Sequence, residues 1–79
     1  MTATRVLLDS TALTAVSFSP ERNILEVEFR NGLIYEYLGV SCSLYAELLA
    51  APSKGAFVAR FIRNCFPHRR LERPARLTQ

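Results

Sequence analysis

The side chains able to do chemistry in this 79-residue chain are few. Nucleophilic catalysis needs a base held against a serine or cysteine, and His68 is the only histidine. It stands late in the chain between Pro67 and Arg69, with no neighbour in sequence to orient it. Cys42 and Cys65 are the only cysteines, and with one histidine they lack the ligand number and spacing of a zinc site. They read as small apolar residues on helix faces. Glu26, Glu28 and Glu36 are the clustered carboxylates, and without a nearby histidine or aspartate they read as a solvated face. The chain contains no glycine-rich phosphate loop and no dinucleotide fingerprint. We therefore expect no catalytic residue, no metal and no cofactor.

Basic residues are the stronger signal. Lys54, Arg60, Arg63, Arg69, Arg70, Arg73 and Arg76 fall in the last third, opposed there by Glu72 alone, which leaves that segment at +6. Residues 1–53 carry Arg5, Arg22 and Arg30 against six acids, a net −3. Such segregation speaks about partners rather than fold. Ser53-Lys54-Gly55 joins a helix-capping serine, an ammonium and a glycine that admits close backbone approach, the chemistry of an anion-holding corner. Arg60 and Arg63 stand about one turn apart beside small alanines, and Arg69 and Arg70 are expected to continue that stripe past Pro67. No base-reading signature accompanies the stripe.

These residues need elements to position them. At 79 residues, with 49% hydrophobic and 22% charged side chains, the chain has room for one thin core and is not disordered. The expected radius of gyration is about 12 Å. Residues 4–71 are expected to form a single domain and residues 72–79 a flexible basic tail. The N-terminus offers only Val6, Leu7 and Leu8 before Asp9, too short for a signal-peptide core, and no stretch reaches membrane-spanning length. A cytoplasmic protein without membrane association is expected.

The pattern predicts an α+β fold, a short antiparallel meander of three or four strands followed by two amphipathic helices packed on one face. A first short strand is expected over Val6–Leu8, and a second over Leu13–Phe18 with Thr14, Val16 and Phe18 on one face. Asn23 suits a left-handed turn position. Leu25, Val27 and Phe29 alternate with Glu26, Glu28 and Arg30, and Asn31-Gly32 marks a hairpin. A three-residue loop, Arg30-Asn31-Gly32 with Gly32 left-handed, pairs Val27 with Tyr35 and Leu25 with Tyr37 and keeps one face apolar. Tyr35 and Tyr37 are thereby placed towards the core. The same register sets Glu26 against Glu36 on the outer face, which would repel phosphate. Ser41 or Ser43 is expected to cap a first helix burying Cys42, Leu44, Tyr45, Leu48 and Leu49, ended by Pro52. Ser53 is expected to cap a second, burying Phe57, Val58, Phe61, Ile62 and Cys65, ended by Phe66-Pro67.

The ordered series Leu25–Phe29, Asn31-Gly32, Tyr35-Glu36-Tyr37, Val40, Leu48-Leu49, Ser53-Lys54-Gly55 and Phe61–Pro67 resembles the KTSC domain family. The likeness covers roughly residues 5–71. That family takes its name from a domain at the C-terminus of some lysyl-tRNA synthetases and also occurs as small free-standing bacterial proteins. The resemblance implies a small α+β domain with a central tyrosine pair, and RNA binding. Tyr35, Tyr37, Ser53, Lys54 and Gly55 match its motif positions. Ser41 departs from the proline expected after Val40, and Phe66 stands where tyrosine is common.

The expected function is a non-catalytic module that contacts RNA, or another nucleic acid, through Ser53, Lys54, Gly55, Arg60, Arg63, Arg69 and Arg70. The alternative is a protein-interaction or homodimerisation module that uses a sheet edge or leftover apolar surface.

Overall fold

A computed structural model describes residues 4–71, so Glu72, Arg73, Arg76 and the rest of the expected tail lie outside the described residues. Five antiparallel strands form one sheet in sequence order: β1 (Thr4–Leu7), β2 (Leu13–Ser19), β3 (Ile24–Phe29), β4 (Ile34–Leu38) and β5 (His68–Leu71). Between β4 and β5 run α1 (Cys42–Ala50) and α2 (Lys54–Phe57), the latter continuing as a π-helical turn over Val58–Ile62. The α+β class stands, but the sheet has five strands where three or four were expected, and the fifth follows the helices. The radius of gyration is 11.9 Å, as a single core of this size requires.

The β3–β4 hairpin forms in the register that keeps one face apolar. Val27 pairs with Tyr35, Leu25 with Tyr37 and Glu26 with Glu36. Gly32 has φ +92, and its N–H donates to the Phe29 carbonyl at 3.0 Å, closing the three-residue loop. Asn23 takes φ 54 as expected, and its carbonyl accepts from both the Gly39 and Val40 N–H groups at 2.9 and 3.0 Å. That one oxygen ties the end of β4 to the β2–β3 turn.

In β2 the structure corrects the expected face. A bulge between Leu13 and Ala15 shifts the pairing, so that Leu13 opposes Phe29 and Ala15 opposes Glu28. The extra residue, Thr14, takes up the slip, and Leu13 is fully buried while Thr14 is only half-buried. Arg30 fastens the preceding loop: its Nε donates to the Ser10 carbonyl at 2.9 Å. The Ala12 carbonyl accepts the Arg30 N–H at 3.0 Å.

Both helices start at the expected serines. Ser41 Oγ accepts the Leu44 N–H at 3.1 Å, and Ser53 Oγ accepts the Ala56 N–H at 3.3 Å. Leu48, Val58 and Ile62 are buried against Val16, Leu25, Val27 and Tyr37, which places the helices on one face of the sheet. Tyr45 stacks on Phe18, with ring centroids 4.8 Å apart at 19°. The buried arcs are narrower than expected. Cys42, Leu49, Phe61 and Cys65 are exposed, because each lies beyond the seam that reaches the sheet.

A candidate nucleic-acid interface at the helix-side sheet edge

The fifth strand decides where the arginines go. His68 opposes Tyr37, Arg69 opposes Glu36 and Arg70 opposes Tyr35. Directly opposed residues share a face, so His68 and Arg70 lie on the helix side of the sheet and Arg69 on the outer side. Arg69 Nε donates to Glu36 Oε1 at 2.7 Å. The two arginines therefore part to opposite faces and do not prolong a helical stripe. The helix ends at Ile62, earlier than the expected Phe66-Pro67, and after a turn the extended chain beyond Pro67 alternates its side chains.

The outer face is also less acidic than the sequence suggests. Arg5, Ser17, Glu26, Glu36 and Arg69 form one row across the five strands. Arg5 reaches Glu28 at 2.8 Å, and Arg69 covers Glu36, which is 8% exposed. Cations from β1 and β5 thus bracket the opposed Glu26 and Glu36. The expected phosphate-repelling surface is a charge-paired one.

The Ser53-Lys54-Gly55 corner is largely occupied by the protein itself. Ser53 caps the helix, and Lys54 Nζ donates to the Ala51 carbonyl at 2.6 Å. That contact ties the ammonium to the C-terminal end of α1, where the helix dipole favours a cation. Gly55 meets Ala12: a Cβ built at Gly55 would stand 3.0 Å from the Ala12 Cβ. The close approach that Gly55 permits is that of the loop before β2. With only four residues, α2 offers little dipole of its own.

Arg60 and Arg63 are both exposed but not equivalent. The Arg63 N–H donates to the Val58 carbonyl at 2.8 Å, an i→i+5 bond that widens this turn. Widening rotates Arg63 away from the α-helical stripe it would share with Arg60. Arg60 lies over the Phe61 ring, 5.4 Å from its centroid. Arg63 instead turns to a cleft of about 400 Å³ lined by Phe29, Leu33, Tyr35, Tyr37, Asn64 and His68, with Asn31 at the hairpin end.

This cleft is the site that reading the residues in order misses. His68 reaches it because β5 docks on β4: its ring centroid lies 5.6 Å from Tyr35 and 5.5 Å from Tyr37. Phe29 meets Tyr35 at 5.7 Å and 79°. Tyr37 is 2% exposed and belongs to the core, whereas Tyr35 is half-buried at the cleft wall. Burial pushes the Tyr37 phenol above its ordinary pKa, the Arg63 charge pulls it partly back, and Tyr35 adds to the rise. Tyr37 therefore remains a neutral hydroxyl at physiological pH. Among the described residues no carboxylate lines the cleft, while Arg63 lines it directly and Arg70 stands on the same face opposite Tyr35. The arrangement suits a planar, anionic ligand. Of the residues expected to bind, Arg63 lines the cleft, Arg70 lies on the same face of the sheet opposite Tyr35, Arg60 lies one turn upstream, and Ser53, Lys54, Gly55, Arg60, Arg69 and Arg70 are not among the cleft's lining.

Comparison with known proteins agrees with this architecture. Residues 9–66 match the KTSC domain, and the chain belongs to that family. A crystal structure of a KTSC domain protein from Yersinia pestis superposes with a TM-score of 0.84 at 30% identity, covering 89% of this chain and 99% of that one. An uncharacterised protein of Stutzerimonas stutzeri is 43% identical over 51 residues, 65% of this chain and 72% of its own length. A lysine–tRNA ligase of Nostoc is 37% identical over 59 residues, which span 75% of this chain but 10% of the ligase.

Proposed function

We propose that the chain is a non-catalytic module that binds single-stranded RNA at the helix-side edge of its sheet. Arg63 and Arg70 are the principal phosphate contacts, and Arg60 is an outlying one. The observation that carries this reading is the convergence of Arg63 with an aromatic-walled cleft that has no carboxylate among its described lining residues. Cationic side chains beside exposed rings are the two parts of a single-strand site: the cations hold the backbone, and the rings stack bases. Similarity to a segment of a lysine–tRNA ligase supports an RNA partner over DNA.

Fluorescence anisotropy with single-stranded RNA oligomers across a salt series tests this. Five phosphate-binding side chains along an unbroken stripe would give a log–log slope of about −3.5, whereas three arginines on a single strand give about −2. Binding that is absent at low salt, or that does not respond to salt, contradicts the proposal.

A second reading, self-association through the edge strand β1, has one observation in its favour: Leu7 on that strand is 70% exposed. Light scattering at increasing protein concentration, repeated with Leu7→Lys, separates it from RNA binding. Self-association that the lysine abolishes supports this second reading.

A further inference from the structure

Two aromatic groups in this molecule are built differently. In the core, Phe18 and Tyr45 stack nearly parallel at 19° and satisfy each other. At the cleft, Tyr35 meets Phe29 at 79°, His68 at 76° and Tyr37 at 42°, so none of these three rings lies parallel to it. Their contacts fix the plane of the Tyr35 ring and leave parallel stacking to a ring from outside. The rest of the lining is polar: Asn31 and Asn64 bring side-chain amides, with Asn31 Oδ1 accepting the Leu33 N–H at 3.0 Å and its NH2 left to donate, and Arg63 brings the one charge of fixed sign among the described lining residues. A volume of about 400 Å³ falls at the small end of ligand pockets, the scale of one nucleotide and not of a strand. The π-helical turn that aims Arg63 here is a distortion frequently found at functional sites.

We infer that this cleft is a single-nucleotide pocket: one unstacked nucleobase lies parallel on Tyr35 with its rim against His68, whose ring stands at 76° to Tyr35, its edge is read by the Asn64 amide and the Asn31 NH2, and its phosphate is held by Arg63. The inference rests on the RNA-binding reading and deepens it, because it predicts that a free mononucleotide occupies the same place as a base within a strand. A base edge paired with an asparagine amide also confers a base preference, which a backbone track of arginines does not.

The test is an amide NMR titration of the full chain with AMP and UMP, each compared with its nucleoside and with ribose 5-phosphate. Both nucleotides are expected to shift the amides of Tyr35, Tyr37, Arg63, Asn64 and His68, with unequal affinities. Nucleosides are expected to bind the same residues about tenfold more weakly, through loss of the charge-assisted contact. Arg63→Gln should weaken the nucleotides about tenfold and leave the nucleosides unchanged. Tyr35→Leu should weaken both about tenfold, and where that variant loses its native spectrum, His68→Leu on the exposed edge takes its place. Ribose 5-phosphate binding as tightly as AMP overturns the pocket, since only an anion is then recognised. Cleft amides unmoved by any mononucleotide also overturn it. If an RNA oligomer still shifts Arg60 and Arg70 in that case, RNA binding stands without the pocket; if it shifts nothing, both fall.

Discussion

Arg69 and Arg63 show how little the identity of a residue says about its task. Both are exposed arginines of the basic segment, yet one holds Glu36 at 2.7 Å on the outer face and the other lines the cleft. Removing Arg69 leaves Glu36, 8% exposed, opposite Glu26 without its guanidinium. Arg69→Ala is therefore expected to lower stability by about 1 kcal/mol in urea unfolding, and Glu36→Gln in that background to restore most of it. Tyr37 makes a pH statement at the same scale. Its phenol titrates higher in the folded chain than unfolded, mainly through burial, so the folded state holds its proton longer. The associated stability is intact below the ordinary tyrosine pKa of about 10 and is lost as pH rises through the folded value. Thermal melts above about pH 9 should thus fall less steeply for Tyr37→Phe than for the parent. A slope unchanged by the substitution would remove Tyr37 from that account.

Among the elements, the β3–β4 hairpin was legible because two independent signals agreed. The alternation of Leu25, Val27 and Phe29 needs an apolar partner face, and only a three-residue loop closing on Gly32 supplies one. Both helix starts were legible for the same local reason, a serine whose side chain replaces a missing backbone partner. Three features were not. The bulge at Thr14 depends on how the loop before β2 is pinned by Arg30, a contact twenty residues distant in sequence. The π-helical turn depends on where the buried Val58 and Ile62 must meet the sheet. The strand β5 carries a single apolar residue, Leu71, so its pattern gives no period; it is a strand because the open edge of β4 accepts it. Gly55 offers an element-scale test of helix docking. Gly55→Ala gains helix propensity of about 0.5–1 kcal/mol but meets the Ala12 Cβ at 3.0 Å. The gain should appear only in an Ala12→Gly background, giving a favourable coupling of about 0.5–1 kcal/mol in a double-mutant cycle. Simple additivity would show that the helix does not press on this loop.

For the molecule as a whole, the net charge hides a geometry that only the fold discloses. Among the described residues the basic last third does not form one surface: it divides around the sheet edge, with Arg69 paired to Glu36 on the outer face and Arg63 and Arg70 on the helix side. Lys54 is tied to the end of α1. The charge split was visible from the sequence, and so was the family pattern. The aromatic cleft was not, because Tyr35, His68 and Arg63 become neighbours only when the chain returns as β5. Arginines of the same segment thus have separable roles, and that separation is the central claim. The direct measurement is RNA affinity at low salt for the parent, Arg63→Gln and Arg69→Gln, each verified as folded. Arg63→Gln should weaken binding by about tenfold, while Arg69→Gln should change it by less than about twofold. Equal losses from the two substitutions, or a larger loss from Arg69→Gln, would contradict the account.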